Sequence, residues 1–165
     1  MRLFVAIRFS PAVHDALTAA ISALRRQGSG TFTRPENLHL TLAFIGETEN
    51  VDAARRALAS VAGSGKFSFS VGGMGCFDDL WWAGVSDSQP LKELALTVQS
   101  ALRQEGFAIE KRSWKPHITL VRRWRGPKPR VPLSPVSMRA ERVSLMKSER
   151  IDGKLVYTEI DSMKL

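Results

Sequence analysis

An α+β fold with largely antiparallel sheets is what this sequence predicts, and three observations lead there. Segments that alternate like strands are mixed with segments of helical period, without the strict strand-helix alternation of a doubly wound parallel sheet. The 165 residues amount to one domain and can bury a sizeable interior. A short internal echo, His39-Leu40-Thr41-Leu42 against His117-Ile118-Thr119-Leu120, suggests that one half of the chain mirrors the other. Hydrophobic residues at 44% and charged residues at 24% are ordinary for a folded soluble protein, which argues against disorder.

Arg2 to Phe9 alternates, with Leu3, Val5, Ile7 and Phe9 on one face, and reads as a strand near a sheet centre. Ser10-Pro11 then opens a helix, serine as N-cap and proline in the first turn, whose buried stripe is Val13, Leu17, Ile21 and Leu24 before Gly28. Leu38 to Ile45 is a second strand. Val51 to Ala62 is helical through Ala54, Leu58 and Val61, ending at Gly63-Ser64-Gly65. Phe67, Phe69 and Val71 alternate, Gly72-Gly73 and Gly75 mark a bend or bulge, and Leu80 to Val85 resumes as a strand. Pro90 starts a third helix with Leu91, Leu94, Val98 and Leu102 inward and Gly106 as its stop. Ile118 to Val121, Arg142 to Lys147 and Leu155 to Ile160 supply the remaining strands. The segment Pro127 to Pro135 is a loop, because its four prolines remove too many ladder donors.

Several classes drop out on composition. Cys76 has no partner for an internal disulfide, and with three histidines a thiolate- or histidine-rich zinc site lacks ligands. No apolar run approaches the roughly 20 residues of a membrane span, and the start reaches Arg8 too soon for a secretory signal. The expectation is a reduced, cytoplasmic monomer with no membrane partner and Cys76 as a buried small apolar residue. Gly63-Ser64-Gly65-Lys66 imitates the end of a P-loop, but Ser60 stands where its first glycine belongs and Phe67 replaces the hydroxyl residue. Neither a nucleophile elbow nor a convincing two-metal set of acids is present.

The net charge of +8 is unevenly placed. Lys111, Arg112, Lys115, Arg122, Arg123, Arg125, Lys128 and Arg130 fall in one stretch, and no acid lies between Glu110 and Glu141. A local excess of this kind suits a polyanion, since each phosphate contact releases counterions, although a solvated face that keeps a small protein soluble has the same composition.

The repeated motif narrows the chemistry. Side chains alternate along a strand, so His39 and Thr41 project to one side and Leu40 and Leu42 to the other, with His and Thr about 7 Å apart. His117 and Thr119 repeat the arrangement. If both strands face one cleft, two imidazoles flank one phosphorus, one taking a proton from the nucleophile and one giving a proton to the leaving oxygen. The threonine hydroxyls would bind the non-bridging oxygens, and Arg122 would add a bidentate phosphate contact. A single His-x-Thr arises by chance, and a lone strand histidine is commonly a packed core residue. Two of the three histidines in one four-residue pattern, the second beside the basic run, favour function. His14 lies off its helix stripe and reads as a surface residue. Trp81, Trp82, Trp114 and Trp124 could stack on bases, but such residues are more often core or shielding surface. Without a metal, two histidines suit an easy phosphodiester: a strained cyclic phosphate, or RNA attacked by its own 2′-OH.

At these residues the sequence resembles the 2H phosphoesterase superfamily, and within it the bacterial RNA 2′,3′-cyclic phosphodiesterases, also described as 2′-5′ RNA ligases. The resemblance runs through Arg2-Leu3-Phe4-Val5-Ala6-Ile7, Arg34-Pro35-Glu36-Asn37-Leu38-His39-Leu40-Thr41-Leu42-Ala43-Phe44-Ile45-Gly46-Glu47, the Phe77 to Val85 region with Trp82-Ala83-Gly84-Val85, Pro116-His117-Ile118-Thr119-Leu120, and the closing Leu145, Ser148 and Tyr157. It implies a bilobal fold: a single domain over residues 1–165 of two intertwined lobes, two antiparallel sheets with flanking helices about a pseudo-twofold axis, and the active-site cleft between them. It also implies hydrolysis of RNA or nucleotide 2′,3′-cyclic phosphate ends to 2′-phosphomonoesters, with no metal and no nucleotide cofactor. By similarity His39 is the proton donor, His117 the proton acceptor, Thr41, Thr119 and Arg122 hold the phosphate, and Phe44 lines a base pocket. Two other readings compete with it: 2′-5′ ligation of RNA halves by the same site in reverse, and a non-catalytic RNA- or nucleotide-binding module. The arginine- and proline-rich stretch after Arg122 departs from the family pattern.

Overall fold

Two antiparallel sheets carry the molecule, as a computed structural model describing residues 1–165 shows. The strands are β1 (Arg2–Ile7), β2 (Ser29–Phe32), β3 (Leu40–Glu47), β4 (Phe67–Phe77), β5 (Leu80–Val85), β6 (His117–Arg125), β7 (Val136–Ala140), β8 (Arg142–Ile151) and β9 (Lys154–Lys164). The helices are α1 (Pro11–Gln27), α2 (Val51–Ala59) and α3 (Gln89–Gln104), with a single 3-10 turn at Pro35–Asn37. Sheet A has the order β3-β1-β8-β9 and sheet B the order β2-β6-β5-β4-β7. Each sheet therefore combines segments distant in sequence, and the chain passes from one to the other several times. No helix is long and apolar enough to cross a membrane.

The alternation read in β1 comes with a second buried face. Leu3, Val5 and Ile7 enter the main core with Leu17, Leu24, Leu42, Ile118 and Leu145, while Phe4 and Ala6 form a small cluster with Met146 on the opposite face. Ser10 caps α1 by accepting from the Val13 amide (3.4 Å), and Ser88 caps α3 through the Leu91 amide (3.3 Å). Helix α1 packs on β2, β6 and β7, whereas α2 and α3 pack on each other and against sheet A. Residues 127–135 carry no helix or strand, as the prolines dictate.

Two strands escape the sequence reading. β2 is short and glycine-bearing; a Cβ on Gly30 would lie 2.7 Å from Val121 Cγ2 and 2.8 Å from the Arg122 carbonyl, so the residue that hides the strand is the one that lets it pair with β6. β7 follows the prolines and pairs with β4 at the far edge of sheet B. The Gly72-Gly73 region is an irregularity inside one long β4, not a strand end. Hairpins at Asp78-Asp79 and Asp152-Gly153 join β4 to β5 and β8 to β9; Asp152 (φ 51°) and Gly153 (φ 76°) have the two left-handed residues of a type I′ turn.

The feature that shapes the cleft is a pair of β-bulges. Val5 and Ala6 of β1 face Ala43 and Thr41 of β3, leaving Leu42 as the extra residue. Trp81 and Trp82 of β5 face Val121 and Thr119 of β6, leaving Leu120. Both extra residues are the fourth position of the His-x-Thr-Leu motif, and both are fully buried. Leu42 and Ala43 thus both point into the core, as do Leu120 and Val121, and the next residue emerges on the cleft side. The bulge carbonyls are satisfied from outside the ladder: Gln99 of α3, itself buried, donates to the Leu42 oxygen (3.0 Å), and the Thr33 amide donates to the Leu120 oxygen (2.9 Å).

Replacing Gln99 with Leu strands the Leu42 carbonyl in an apolar layer and is expected to lower stability by about 1–3 kcal/mol in denaturant unfolding. A loss within roughly 0.5 kcal/mol, the range of inert surface substitutions, would show that this bond does not secure the bulge.

Candidate active site

His39 lies one residue before β3 and His117 is the first residue of β6, so both motifs sit at strand entrances and not in strand centres. Each imidazole is fixed by its own chain in the same way. His39 Nδ1 donates to the Asn37 carbonyl (2.7 Å) and His117 Nδ1 to the Lys115 carbonyl (2.7 Å), in both cases two residues upstream. With the proton committed to Nδ1, the neutral ring presents Nε2 as its lone-pair nitrogen. The Thr41 hydroxyl donates to His39 Nε2 at 2.8 Å. Asn37 is held in turn, its Nδ2 donating to the Leu155 carbonyl of β9 (2.8 Å).

Sheets A and B bring the two motifs into one cleft. The charges of His117 and Arg122 both act on His39, and β3 and β6 are in contact. Trp114, just upstream of His117, donates from Nε1 to the Thr41 carbonyl (3.1 Å), which ties the two motif strands to each other. The Thr119 carbonyl receives the Thr33 hydroxyl (2.8 Å), leaving the Thr119 hydroxyl free of that bond. Because of the bulges, Arg122 and Phe44, each five residues after its histidine, share the cleft side; in unbroken strands an odd spacing would put them behind it. Arg122 is exposed and makes no salt bridge, while Phe44 is 65% exposed with its ring 6.4 Å from Phe4. All six expected site residues, His39, Thr41, Phe44, His117, Thr119 and Arg122, therefore gather around the cleft.

Aromatic side chains wall each histidine. The His39 ring lies 4.8 Å from Phe4 and edge-on to Tyr157 at 5.2 Å, and Phe4 and Tyr157 are 5.0 Å apart. The His117 ring lies 5.1 Å from Phe77, which is 5.4 Å from Trp82. Trp82 in turn covers Gly75, where any Cβ would fall 2.3 Å from the indole, and its buried Nε1 has no hydrogen-bond partner. Burial lowers the His39 pKa from its ordinary 6.5, with Arg122 and His117 adding to the effect against the Asn37 bond. This environment thus holds His39 neutral at pH 7. As pH falls through 6.5 the unfolded chain takes up this proton before the folded one does, so His39 costs stability on the acid side. Burial likewise raises the Tyr157 phenol, against the pull of Arg122, Arg2 and Arg150, and it stays a protonated donor.

Of the residues set apart from the site, His14 packs on the surface with its Nε2 at 2.9 Å from the Pro35 carbonyl. Cys76 is a correction: it is exposed, because it lies on the solvent-facing end of the β4-β5 hairpin opposite Trp81. The eight bases of the charged stretch are all exposed, and only Arg122 among them belongs to the motif geometry; Arg112 is paired with Glu110 (3.1 Å). Asn37, Phe4, Phe77 and Trp82 are the site components that motif reasoning passed over. No three His, Cys, Asp or Glu side chains gather into a metal-ligand set.

Residues 13–152 match the family described as the 2′-5′ RNA ligase superfamily. A Thermotoga maritima protein named RNA 2′,3′-cyclic phosphodiesterase is 34% identical over 131 residues, spanning 74% of this chain and 70% of its own length. A Geobacillus stearothermophilus protein of the same name is 36% identical over 118 residues, which is 67% of this chain but only 37% of that longer protein. The crystal structure of E. coli LigT complexed with NADP+ superposes with a TM-score of 0.84 at 25% identity, covering 99% of this chain and 96% of that one. The paired motifs, the two-sheet architecture and a family match over most of the length agree: the chain belongs to the 2′-5′ RNA ligase superfamily.

Proposed function

We propose that this protein hydrolyses RNA or nucleotide 2′,3′-cyclic phosphate ends to 2′-phosphomonoesters by acid-base catalysis between two histidines. The observation that carries the reading is the matched presentation of His39 and His117, each with Nδ1 committed to a backbone carbonyl two residues upstream, so that Nε2 is the ring nitrogen left for proton transfer, held by the Thr41 hydroxyl in His39. The Thermotoga and Geobacillus relatives, both named RNA 2′,3′-cyclic phosphodiesterase, support the substrate class and the bond cleaved.

In the proposed step water attacks phosphorus and the P–O3′ bond breaks. His117 Nε2 takes the proton of the attacking water, and His39 Nε2 gives one to the departing 3′-oxygen, leaving the phosphate on O2′. Proton exchange with solvent then restores both rings. His39 must be charged to act as donor, yet burial and Arg122 keep it neutral in the free protein. The anionic phosphate provides the missing charge: once it lies against the ring, the imidazolium becomes the favoured form. The Thr41 hydroxyl, released from Nε2 when that nitrogen gains its proton, can turn to a non-bridging oxygen, with Thr119 and Arg122 serving the others. Phe44 offers an exposed ring for the base.

Substituting either His39 or His117 with Ala is expected to lower kcat on a cyclic nucleotide by roughly 10²–10⁴-fold with an unchanged circular dichroism spectrum. A folded variant turning over at the wild-type rate would sink the reading, and wild-type protein that binds cyclic ends without converting them is instead the binding module. The assignment of donor and acceptor has its own test. A cyclic substrate with sulfur at the 3′-bridging position releases a thiol of pKa near 8.5, which departs without a proton. The His39→Ala deficit should shrink by at least about tenfold on it while the His117→Ala deficit does not; the opposite pattern reverses the two roles. Finally, the His39 ring followed by NMR should titrate below the ordinary histidine range in the free protein and shift upward when inorganic phosphate saturates the cleft. A titration unmoved by phosphate would place the anion away from His39.

A further inference from the structure

The cleft face of sheet A continues beyond His39 into a row of polar side chains that the reaction does not use. In the regular pairing of β1 with β8, Arg2 faces Ser148 and Phe4 faces Met146; in that of β8 with β9, Ser148 faces Tyr157 and Arg150 faces Leu155. Arg2, Ser148, Tyr157 and Arg150 therefore project from the same face as Phe4, which touches His39. Two links hold this row to the active site. The Tyr157 ring lies edge-on to the His39 ring at 5.2 Å, and Leu155, the register partner of Arg150, gives its carbonyl to Asn37, which gives its own carbonyl to His39.

The row is charged and unengaged. Arg2 and Arg150 are both exposed and form no salt bridge; the one contact of the Arg150 guanidinium is a long 3.4 Å bond to the Gly153 carbonyl. The acids nearest in register are already committed: Glu47, opposite Arg2, lies 3.1 Å from the Met1 amine, and Glu159 accepts from Ser144 Oγ (2.5 Å) and pairs with Arg8 (3.8 Å). The Tyr157 hydroxyl has no hydrogen-bond partner in the chain although its ring packs against both Phe4 and His39. Two guanidinium groups without an ion pair and a phenol donor on one face are the chemistry of a phosphate.

We propose that Arg2, Ser148, Arg150 and Tyr157 form a second phosphate subsite that takes the phosphodiester immediately 5′ of the cyclic nucleotide, which shapes the cleft for the end of an RNA chain over a free nucleotide. The proposal rests on the reading of the cleft as a cyclic phosphodiesterase. The in-line requirement supplies the direction: with water entering from His117, the sugar bearing O2′ and O3′ lies on the His39 side. A cyclic end has its next phosphate only in the 5′ direction, and from the His39 side that path runs over sheet A.

Two product-like probes test it by calorimetry: adenosine 2′-phosphate, and adenylyl-adenosine with a terminal 2′-phosphate. Wild-type protein should bind the dinucleotide about tenfold more tightly, with a slope of log K against log salt steeper by roughly 0.7, the value for one further phosphate of a single strand. The ratio of the two affinities should fall to within about twofold of one in the double variant R2Q/R150Q, and also in wild-type protein when the internucleotide linkage is a neutral methylphosphonate. Equal affinities in the wild type overturn the subsite, and so does a dinucleotide preference that survives both changes. Turnover of the corresponding cyclic substrates is measured alongside. Turnover without dinucleotide preference leaves the enzyme and removes the subsite, whereas preference without turnover leaves the subsite and removes the enzyme.

Discussion

Parity along a strand is the constraint on which this cleft depends. A strand offers one face residues of even spacing only, yet the site needs a histidine, the hydroxyl two residues later, and a further group five residues later. The bulges at Leu42 and Leu120 resolve the conflict by spending one extra residue in the core. Each leaves carbonyls that the ladder cannot pair, and the molecule answers with a buried Gln99 on one side and Thr33 on the other. The position of α3 against β3 and of β2 beside β6 follows from that need as much as from apolar packing.

Much of this was legible in the chain because the signals are local. The Ser10 cap, the prolines at 11 and 90, the inward stripes and the glycine stops placed the three helices, and the prolines of 127–135 placed the loop. The motif residues were legible because a histidine and a threonine two apart must share a face. β2 and β7 were not, since four or five residues at the edge of a sheet carry too little periodicity to stand out, and Gly30 argues locally against a strand that a distant carbonyl requires. Cys76 was misplaced for a related reason: exposure at the end of a hairpin is set by where the sheet stops. The bulges themselves were foreshadowed only by the shared five-residue spacing of Phe44 and Arg122, and the roles of Phe4, Tyr157, Phe77 and Trp82 depend on which strands meet.

The two halves match in backbone and differ in what surrounds them. His39 is packed between Phe4 and Tyr157 and already receives the Thr41 hydroxyl, whereas His117 rests on Phe77, which is 39% exposed, and has no bond to its threonine. Position five is an aromatic in one half and a cation in the other. A strictly symmetric cleft would have no reason to bind a substrate one way round. Here the enclosed, aromatic side suits a sugar and base, and the open, cationic side suits water and the phosphate charge.

In the proposed reaction, that asymmetry also accounts for how a ring held neutral would serve as an acid. Burial and Arg122 suppress protonation of His39 in the free protein, so in the proposed reaction the proton would be taken up with the anion and not before it. Binding and protonation are then one linked event: the phosphate stabilises the imidazolium, and by reciprocity acidification strengthens phosphate binding until the free ring itself titrates. The same positive field that depresses His39, contributed in part by Arg122, draws the anion in. On the proposed assignment, a donor assembled by its own substrate would be armed only when the bond to be broken is in place, with its ring seated against Phe4 and Tyr157.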